Sequence, residues 1–473
     1  MRHRTTKNSA YSHLKGTTSA DKAPLEANLR APELPQSHGS QVNAVEPAAH
    51  GDIQYRSLYA AFDRFPLPKG ASTHIKQMAS TLFKNCGNGL LYVAGDKGKL
   101  PLEFETLQHD NRTVPVTLIR SQAPTQCAEY GNNNVLAKAM AYADQLSSLL
   151  QRHGQQLQIA HFRDPWAGVP LLDYRTQQPQ LRLVYEVNAL PSIELPTHLA
   201  VKPQTLAVIK AWEQRCLDGA DLILTPSKLT QQQLKRLTNT PIHYLPNGAE
   251  PITQTQLQEK QQTQLQQPPS LIYFGGAQRW QGLTTLLHAM VIIKRQLPAT
   301  LTLCLSLKNR QARQLTGLIA SLNLTDVVKV HYGLSQAELR PKIINATASV
   351  APLIACERNM LQGCCPLKIV ESMAAATPVI ASDLPVVHEL LAAPTHGLLV
   401  PPYRPSELAR ACISLLSQPE LAAQMGQRAR AHIVTNFQWN AINQTLSMHY
   451  QQLLSLHSSS KRIANECLAS TPV

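Results

Sequence analysis

The chain has 473 residues, a formal net charge of +14, 33 prolines and only 5% aromatic residues. This length predicts two or three domains, each large enough to bury its own core. The positive charge is spread along the sequence and is not gathered in one tract, which favours a scattered basic surface and no nucleic-acid partner.

The nine cysteines match no metal-ligand spacing, and several lie inside apolar segments. This usage favours buried thiols in a reducing compartment over a disulfide framework. The sequence contains no apolar run long enough to span a bilayer. Arg2, Arg4 and Lys7 are followed by no hydrophobic segment, so we predict no secretory signal. We therefore expect a cytoplasmic protein without a bound metal.

Residues 1–52 are polar and rich in proline, alanine and serine, so we predict that they are disordered. From residue 53 onward, short apolar runs alternate with helical patterns. Ser72 or Thr73 is predicted to cap the first helix, and residues 135–153 form a long amphipathic one. The predicted strands are residues 58–62, 90–94, 116–119, 159–162, 183–187 and 222–225. This alternation favours parallel βαβ units.

The composition changes at residues 254–267, which are dominated by glutamine and are followed by two prolines. A linker and a solvated surface helix explain this segment equally well. The pattern then restarts, and further strands are predicted at 271–274, 301–305, 328–330, 349–353, 379–381 and 397–400. The sequence thus predicts an α/β protein with two Rossmann-like, doubly wound domains, 53–248 and 249–439, facing across a cleft. A last helix at about 440–457 and a flexible tail at 458–473 complete the prediction.

Three glycine turns occur at equivalent places in the two halves, at Lys69-Gly70, Gly275-Gly276 and Gly363. A glycine after a strand is usually only a turn. The recurrence of such turns in both halves favours a cleft that binds phosphate groups. No Walker-type loop and no strict G-x-G-x-x-G occurs, which argues against a P-loop or a plain nicotinamide site.

The stretch QGCCPLKIVESMAAATPVIASD, residues 362–383, carries most of the chemistry. Gly363 and Cys364 form a small-residue turn, and Pro366 suits the first position of a helix. Lys368 and Glu371 lie three residues apart, so they share one face of that helix. A helix N-terminus with a cation and a carboxylate on its first turns can hold a phosphorylated ligand. An ordinary loop and helix of an α/β protein explains these residues as well.

The sequence resembles the family-4 retaining glycosyltransferases (glycosyl transferases group 1), which have the two-domain GT-B fold. In the second half the matching segments are PNG (246–248), FGGAQRWQG (274–282), PLKIVESMAAATPVIAS (366–382), DLPVVHELL (383–391), HGLLVPP (396–402) and FQW (437–439). In the first half PLPKGASTHIKQMA (66–79), AHFRDPW (160–166), YEVNALPSIELP (185–196) and ADLILTPS (220–227) resemble the acceptor-side domain. The resemblance covers residues 55–457 and implies that the last helix returns to the first domain.

The resemblance implies transfer of a sugar from a nucleotide diphosphate-sugar, with retention at the anomeric carbon and without a metal or other cofactor. The implied acceptor is a glycan or a lipid-linked glycan. A peripheral contact with the inner face of a membrane would fit such an acceptor, although scattered surface lysines explain the basic charge better than a membrane-binding helix does.

The resemblance also assigns roles to individual residues. The implied donor-binding residues are Gly70, Gly276, Arg279, Gln281, Gly363, Cys364, Lys368 and Glu371. Glu371 would accept hydrogen bonds from the ribose diol, while Lys368, Arg279 and main-chain N–H groups would neutralise the leaving diphosphate. Lys69, Glu186 and Asn188 are implied on the acceptor side. The family's reactive-centre histidine registers at either His161 or Arg163, so both join Lys368 as candidate catalytic residues.

Three positions depart from the family pattern. Gly363 stands where a glutamate usually contacts the donor sugar, so main-chain N–H groups, or Glu357 if its loop folds back, would replace that contact. Gln281 stands where a lysine is usual. Ala376 replaces a common helix-ending glycine, which costs about 1 kcal/mol if the position is left-handed. These departures keep two alternatives open, a GT-B sugar-nucleotide epimerase and a catalytically weak nucleotide-sugar-binding protein.

Overall fold

The structure, a computed structural model, describes residues 54–67, 69–87, 89–95, 101–109, 112–122, 135–197, 199–264, 268–307 and 309–469. The disordered segment predicted at 1–52 lies outside the described residues. Within them, no helix combines the length and the apolar character needed to cross a bilayer.

The first domain is built on an eight-stranded sheet whose strands run in the order β3-β4-β2-β1-β5-β6-β7-β8. Only β3 is antiparallel to its neighbour. The strands are β1 (Ser57–Arg64), β2 (Gly89–Ala94), β3 (Leu102–His109), β4 (Arg112–Arg120), β5 (Ile159–Phe162), β6 (Arg182–Glu186), β7 (Leu222–Thr225) and β8 (Ile242–Tyr244). The helices are α1 (Gly70–Cys86), α2 (Val135–His153), α3 (Pro165–Arg175), α4 (Pro191–Glu194), α5 (Pro203–Gly219) and α6 (Lys228–Leu234).

The second domain contains a six-stranded parallel sheet in the order β11-β10-β9-β12-β13-β14. Its strands are β9 (Ser270–Gly275), β10 (Thr300–Leu305), β11 (Val328–Tyr332), β12 (Ala348–Ala351), β13 (Val379–Ser382) and β14 (Gly397–Val400). Its helices are α7 (Gln254–Gln264), α8 (Leu283–Gln296), α9 (Asn309–Ser321), α10 (Gln336–Asn345), α11 (Leu367–Ala374), α12 (Pro385–His388), α13 (Pro405–Leu416) and α14 (Pro419–Asn436). Two 3-10 turns, Leu195–Thr197 and Arg279–Gln281, and a π-helix, Arg358–Gln362, complete the connections.

Both sheets have helices on their two faces, which buries the strands and explains their nearly continuous apolar runs. The predicted α/β class with two doubly wound sheets is confirmed by these topologies. Parallel strands end at the same edge of each sheet, so the loops after them gather in one crevice. That crevice holds the site described below.

The last helix, α15 (Trp439–Ala469), leaves the second domain and packs on the first. Trp439, Ile442, Leu446 and Tyr450 are buried in the same apolar cluster as Ile75 and Leu82 of α1. The predicted return of this helix to the first domain is therefore confirmed. The helix extends beyond the predicted end at 457, as far as Ala469. Helix therefore occupies most of the segment that we predicted to be a flexible tail.

Other elements differ from the prediction at the ends and at one edge. Strand β3, an edge strand paired only with β4, was not predicted. Helix α1 begins at Gly70, and neither Ser72 nor Thr73 caps it. Instead the Ser72 hydroxyl accepts a hydrogen bond from Leu67 N at 2.9 Å, which fixes the preceding turn. Pro366 is the N-cap of α11 and lies one residue before its predicted place.

The glutamine-rich segment is a helix, α7, and one buried lysine anchors it to the domain. Lys260 is 4% exposed, and its Nζ donates to Thr377 Oγ1 at 2.6 Å and to Ala375 O at 3.2 Å. Burial lowers the pKa of Lys260 to about 7. Of the two explanations left open by the sequence, the surface helix is the one that the structure shows.

Helix α11 ends in a left-handed residue that is not glycine. Ala376 has φ +52° and is 2% exposed. Its carbonyl approaches α14 so closely that a Cβ on Gly426 would lie 2.1 Å from the Ala376 oxygen. Left-handed φ costs an alanine about 1–2 kcal/mol relative to glycine, so this end of α11 is strained.

We predict that Ala376→Gly raises the free energy of unfolding by about 0.5–1 kcal/mol, because the relief of strain exceeds the loss of one buried methyl group. Urea denaturation of both proteins measures the difference. Ala375→Gly is the matched control, since Ala375 has φ −81° and gains nothing from glycine. A lowered denaturation midpoint in both variants would contradict the assignment of strain to Ala376.

Candidate functional site

A pocket of ≈ 200 Å³ lies in the crevice where the two domains meet. Loops after β9, β10 and β11 form one wall, and the first turns of α1 and α11 form the other. The lining residues are Lys69, Gly70, Phe274, Gly275, Gly276, Gln281, Cys304, Leu305, Ser306, Leu334, Gln336, Leu339, Pro366, Leu367, Lys368 and Glu371. The pocket therefore brings together six of the predicted site residues, which come from both halves of the chain.

The N-termini of α1 and α11 are in direct contact at this pocket. A Cβ on Gly70 would lie 2.7 Å from Leu367 Cδ1, so a larger residue would push the two helices apart. Lys69, the N-cap of α1, pairs with Asp63. The first N–H groups of a helix lack intrahelical acceptors and carry partial positive charge. Two helix N-termini aimed at one pocket suit an anionic group.

Lys368 supplies a buried cation to this pocket. Its side chain is largely buried, its Nζ donates to Gln281 Oε1 at 2.6 Å, and the same atom lies 3.9 Å from the centre of the Tyr273 ring. Burial lowers the pKa of Lys368 to about 7. An anion beside the ammonium would raise that pKa again.

Glu371 supplies a carboxylate one turn further along α11. Its Oε1 accepts a hydrogen bond from Gln336 Nε2 at 3.4 Å. Removal from water raises the pKa of Glu371 to about 7, against smaller opposing effects of Gln336 and Arg340. No ion pair between Glu371 and Lys368 occurs in the described part of the chain, so both groups stay available to a ligand.

Arg279 does not reach the pocket. It belongs to the 3-10 turn Arg279–Gln281, in which Gln281 faces the pocket and Arg279 is exposed on the other side. There it lines a second cavity of ≈ 220 Å³ with Thr197, Trp280, Ile354, Cys356 and Tyr403. The structure therefore separates Arg279 from the other predicted donor-binding residues.

Gly363 and Cys364 also lie outside the pocket lining. Gly363 has φ +89° and ψ +164°, a conformation that is essentially restricted to glycine, and a Cβ there would lie 2.5 Å from Ser227 Oγ. Cys364 is buried, which raises the pKa of its thiol. Glu357, the other carboxylate considered for the sugar, is exposed.

The π-helix before Gly363 fastens this segment to the first domain. Gln362 Oε1 accepts from Leu190 N at 3.1 Å, and Arg358 Nε pairs with Glu194 Oε1 at 3.1 Å. Glu389 adds a further link, because its carboxylate accepts from Ser227 Oγ and from the N–H groups of Lys228 and Leu229 at 2.7–2.9 Å. The backbone conformation at Gly363 thus allows this segment to pack closely against the first domain.

The other predicted residues of the first domain, His161, Arg163, Glu186 and Asn188, form a separate cluster around Glu186, at the end of β6. Arg163 Nε donates to Glu186 Oε1 at 3.1 Å, and Asn188 Nδ2 donates to the same oxygen. Burial would raise the pKa of Glu186, but the charges of His74 and Arg163 hold it well below its usual range. The cluster lies at the carboxyl ends of β5 and β6, on the cleft side of the sheet.

His161 is fully buried in this cluster. Its Nδ1 lies 2.6 Å from the Tyr450 hydroxyl of α15, and its Nε2 lies 3.1 Å from Glu186 Oε2. Burial lowers the pKa of His161, with a smaller opposing effect of Glu186. The sequence left His161 and Arg163 as the two candidates for the reactive-centre position. His161 is fully buried, whereas 14% of the Arg163 side chain is exposed to solvent.

Sequence reasoning missed Gln336 in the pocket, Tyr273 beside Lys368, and His74 and Asn247 beside the Glu186 cluster. Asn247 and His74 lie inside motifs that were noticed, PNG and PLPKGASTHIKQMA, but nothing in those motifs shows that the two side chains meet. For Gln336, the signal was a Ser335–Glu338 capping box that marks the start of α10.

We predict that Gly363→Ala lowers the free energy of unfolding by about 2–4 kcal/mol, because it adds backbone strain and a clash with Ser227. Chemical denaturation measures this change. Gly87→Ala is the control, since Gly87 has φ +69° but no atom lies within 4 Å of its added Cβ. If both variants lose the same amount, the clash at Gly363 contributes nothing.

Comparison with known proteins agrees with this arrangement. The family model described as glycosyl transferases group 1 matches residues 255–432. The chain is 28% identical over 162 residues to an MMP alpha-(1->4)-mannosyltransferase of Mycolicibacterium hassiacum, a match that covers 34% of this chain and 37% of the relative. It is 32% identical over 85 residues to an alpha-D-kanosaminyltransferase of Streptomyces kanamyceticus, covering 18% of this chain and 22% of the relative. The chain thus matches well under half of the length of these curated relatives.

Solved structures show the fold over a longer range. Sucrose-phosphate synthase of Thermosynechococcus elongatus superposes with a TM-score of 0.68 at 20% identity, covering 85% of this chain and 100% of that one. Anabaena HepE in complex with UDP-glucose superposes with a TM-score of 0.61 at 18% identity, covering 84% and 100%. Residues 255–432 therefore match the glycosyl transferases group 1 family, and the superposed structures show that the described part of the chain has the GT-B fold.

Proposed function

We propose that this protein is a retaining, metal-independent glycosyltransferase that moves a sugar from a nucleotide diphosphate-sugar to a glycan or lipid-linked glycan. The observation that carries the proposal is the pocket in which two helix N-termini, Lys368 and Glu371 converge. The family match at residues 255–432 and the nucleotide-sugar complex of the HepE structure support it.

The diphosphate would lie between the N-termini of α1 and α11, beside Lys368. Negative charge develops on the leaving diphosphate as the glycosidic bond breaks, and fixed donors in a dry pocket stabilise it strongly. The protonated Lys368 side chain and the helix N–H groups provide positive charge where other enzymes use a metal ion. The ribose hydroxyls would donate to Glu371, and the apolar side chains of Leu334 and Leu339 would face the base.

The acceptor would approach from the first domain. Its hydroxyl oxygen forms the new bond to the anomeric carbon while the diphosphate leaves, and the hydroxyl proton passes to the diphosphate oxygen on the same face of the sugar. Arg163, oriented by Glu186, is the partly exposed cation at the strand ends on that side. Gly363 offers no side chain to the donor sugar, so Gly276 and the main chain around it would bind the sugar. A cytoplasmic location at a membrane face would suit a lipid-linked acceptor.

The binding part of the proposal is tested by thermal shift with UDP-sugars and GDP-sugars in the presence of EDTA. A donor that binds the native state raises its melting temperature. We expect Glu371→Gln to weaken donor affinity about 10- to 100-fold, because a charge-assisted hydrogen bond is lost. Lys294→Met, at an exposed ion pair with Asp326, is the matched control and should bind normally.

Turnover separates the proposed function from its alternatives. A transferase releases the nucleoside diphosphate and modifies an acceptor, with inversion or retention read by NMR of the product. An epimerase would change the donor sugar in the absence of any acceptor. Binding without turnover of any donor would instead favour the catalytically weak binding protein that Gly363 and Gln281 leave open.

Proton linkage gives an independent prediction. At about pH 8 the empty-site Lys368 is mostly neutral, so binding of a nucleotide sugar takes up a proton as the diphosphate raises its pKa. At about pH 6 Glu371 is mostly protonated, so ribose hydrogen bonds to its carboxylate release a proton. Calorimetry in two buffers of different ionisation enthalpy measures both. Lys368→Met should abolish only the uptake, and Glu371→Gln only the release; unchanged linkage in either variant would refute that residue's role.

A further inference from the structure

A buried chain of polar side chains connects the Glu186 cluster to the start of α11. His74 Nε2 lies 2.7 Å from Glu186 Oε1, and His74 Nδ1 lies 2.6 Å from Asn247 Oδ1. Asn247 Nδ2 then donates to Cys365 O at 2.9 Å, two residues before α11 begins. His74, Glu186, Asn247 and Cys365 are all buried. The chain therefore runs through the interior from the first domain into the second.

The direction of each contact follows from the groups involved. The Asn247 amide nitrogen donates to a carbonyl, so its oxygen is the acceptor for His74 Nδ1–H. The other ring nitrogen faces a carboxylate whose pKa is held well below its usual range. His74 thus directs one ring nitrogen toward Asn247 and the other toward Glu186. An apolar side chain could fill this space but could not bridge the two oxygens.

The series of polar contacts from His74 through Asn247 to Cys365 lies where the polypeptide passes between the domains. Asn247 and Gly248 form the first passage, and a Cβ on Gly248 would lie 2.7 Å from the Trp439 side chain of the second passage. Ala249 N donates to Phe437 O at 2.9 Å, which joins the two passages. The His74 ring packs edge-on against Trp439, with centroids 6.1 Å apart. His74 therefore contacts both connections between the domains.

His74 also belongs to α1, the other helix whose N-terminus faces the pocket. It lies one turn after Gly70, and Gly70 is in contact with Leu367 at the start of α11. The path from α1 through Asn247 to Cys365 is a second connection between the same two helix starts. Together the two connections fix the distance and angle between them.

We propose that His74 is a positioning residue for the proposed transfer reaction: through Asn247 it holds the N-termini of α1 and α11 in the arrangement that stabilises the leaving diphosphate. The inference rests on the proposed function, since it assigns the diphosphate to both helices. Lys368 and Glu371 lie on α11 alone, so they still bind the donor when α1 is displaced. A misplacement of about 1 Å at the reacting groups costs about 100-fold in rate.

Three substitutions of His74 separate the two contacts. His74→Asn keeps a donor near the Nδ1 position, His74→Gln keeps one near the Nε2 position, and His74→Leu keeps neither. We expect kcat to fall about 100-fold in His74→Leu, about 30-fold in His74→Gln and less than about 5-fold in His74→Asn, with donor KM within about 3-fold throughout. Asn247→Ser, which shortens the chain at its other end, should reproduce the His74→Leu result.

The control removes a different contact of the same cluster. Tyr450→Phe deletes the hydroxyl that lies 2.6 Å from His161 but leaves the His74–Asn247 chain intact. It should lower thermal stability and leave kcat unchanged. Equal losses of kcat in His74→Asn and His74→Leu, or a loss that appears only as less folded protein, would overturn the positioning role.

Hydrogen exchange provides a readout that needs no turnover. With UDP or GDP bound, whichever the thermal-shift screen selects, we expect the amides at the starts of α1 and α11 to exchange more than about 10-fold faster in His74→Leu than in the wild type or in His74→Asn. Identical exchange in all three proteins would refute the positioning role. An absence of binding of both UDP and GDP in the wild type, by contrast, would refute the proposed function itself, so the two failures are distinguishable.

Discussion

The buried carboxylate of Glu186 is the interaction on which the cleft side of the first domain depends. A carboxylate removed from water destabilises a protein by several kcal/mol unless donors and cations surround it. Here Tyr59 comes from β1, His74 from α1 and His161 from β5, while Arg163 and Asn188 come from the loops after β5 and β6. Satisfying one charge therefore requires three strands and a helix to converge, and that convergence sets the position of α1 at the pocket.

The two ionisable side chains of the pocket, Lys368 and Glu371, have far fewer polar partners among the described residues than Glu186 has. Among the described residues, Lys368 contacts the Gln281 amide and the Tyr273 ring, and Glu371 accepts one long hydrogen bond from Gln336. Their pKa values move toward 7 from opposite directions because neither charge is compensated. Perturbed groups of this kind cluster at functional sites, whereas the Glu186 network is already satisfied within the protein. The pocket is thus the part of the cleft that is available to a ligand, and the Glu186 network is the part that supports the pocket.

Much of this arrangement could be predicted from the sequence, because local patterns determine it. Apolar runs gave the buried strands, and the spacing of Lys368 and Glu371 after Pro366 placed both on one face of α11. In the structure both line one pocket with Lys69, Gly70, Gly276 and Gln281. Ala376 was recognised as a glycine-like position, and its φ of +52° agrees.

The remaining features depend on contacts between distant parts of the chain. The side of a 3-10 turn on which Arg279 lies is set by packing, and the turn faces two cavities. His161 follows the family motif, but Tyr450, 289 residues away, fills the space beside it and keeps it from the cleft. Gly363 stands where the family usually has a sugar-binding glutamate, yet its backbone packs closely against Ser227 of the other domain. None of these partners is visible in a local pattern.

The return of α15 has a consequence for how the protein forms on the ribosome. Leu446 and Tyr450 of this helix are completely buried against α1 and the first sheet. The side chains of β1 and α1 that they cover are made first, and their cover is made after the whole second domain. Domains generally fold as units during synthesis, from the N-terminus. In this protein the first domain cannot close its apolar core until about residue 450 has emerged, so its nascent form carries an exposed apolar surface while the second domain is being translated.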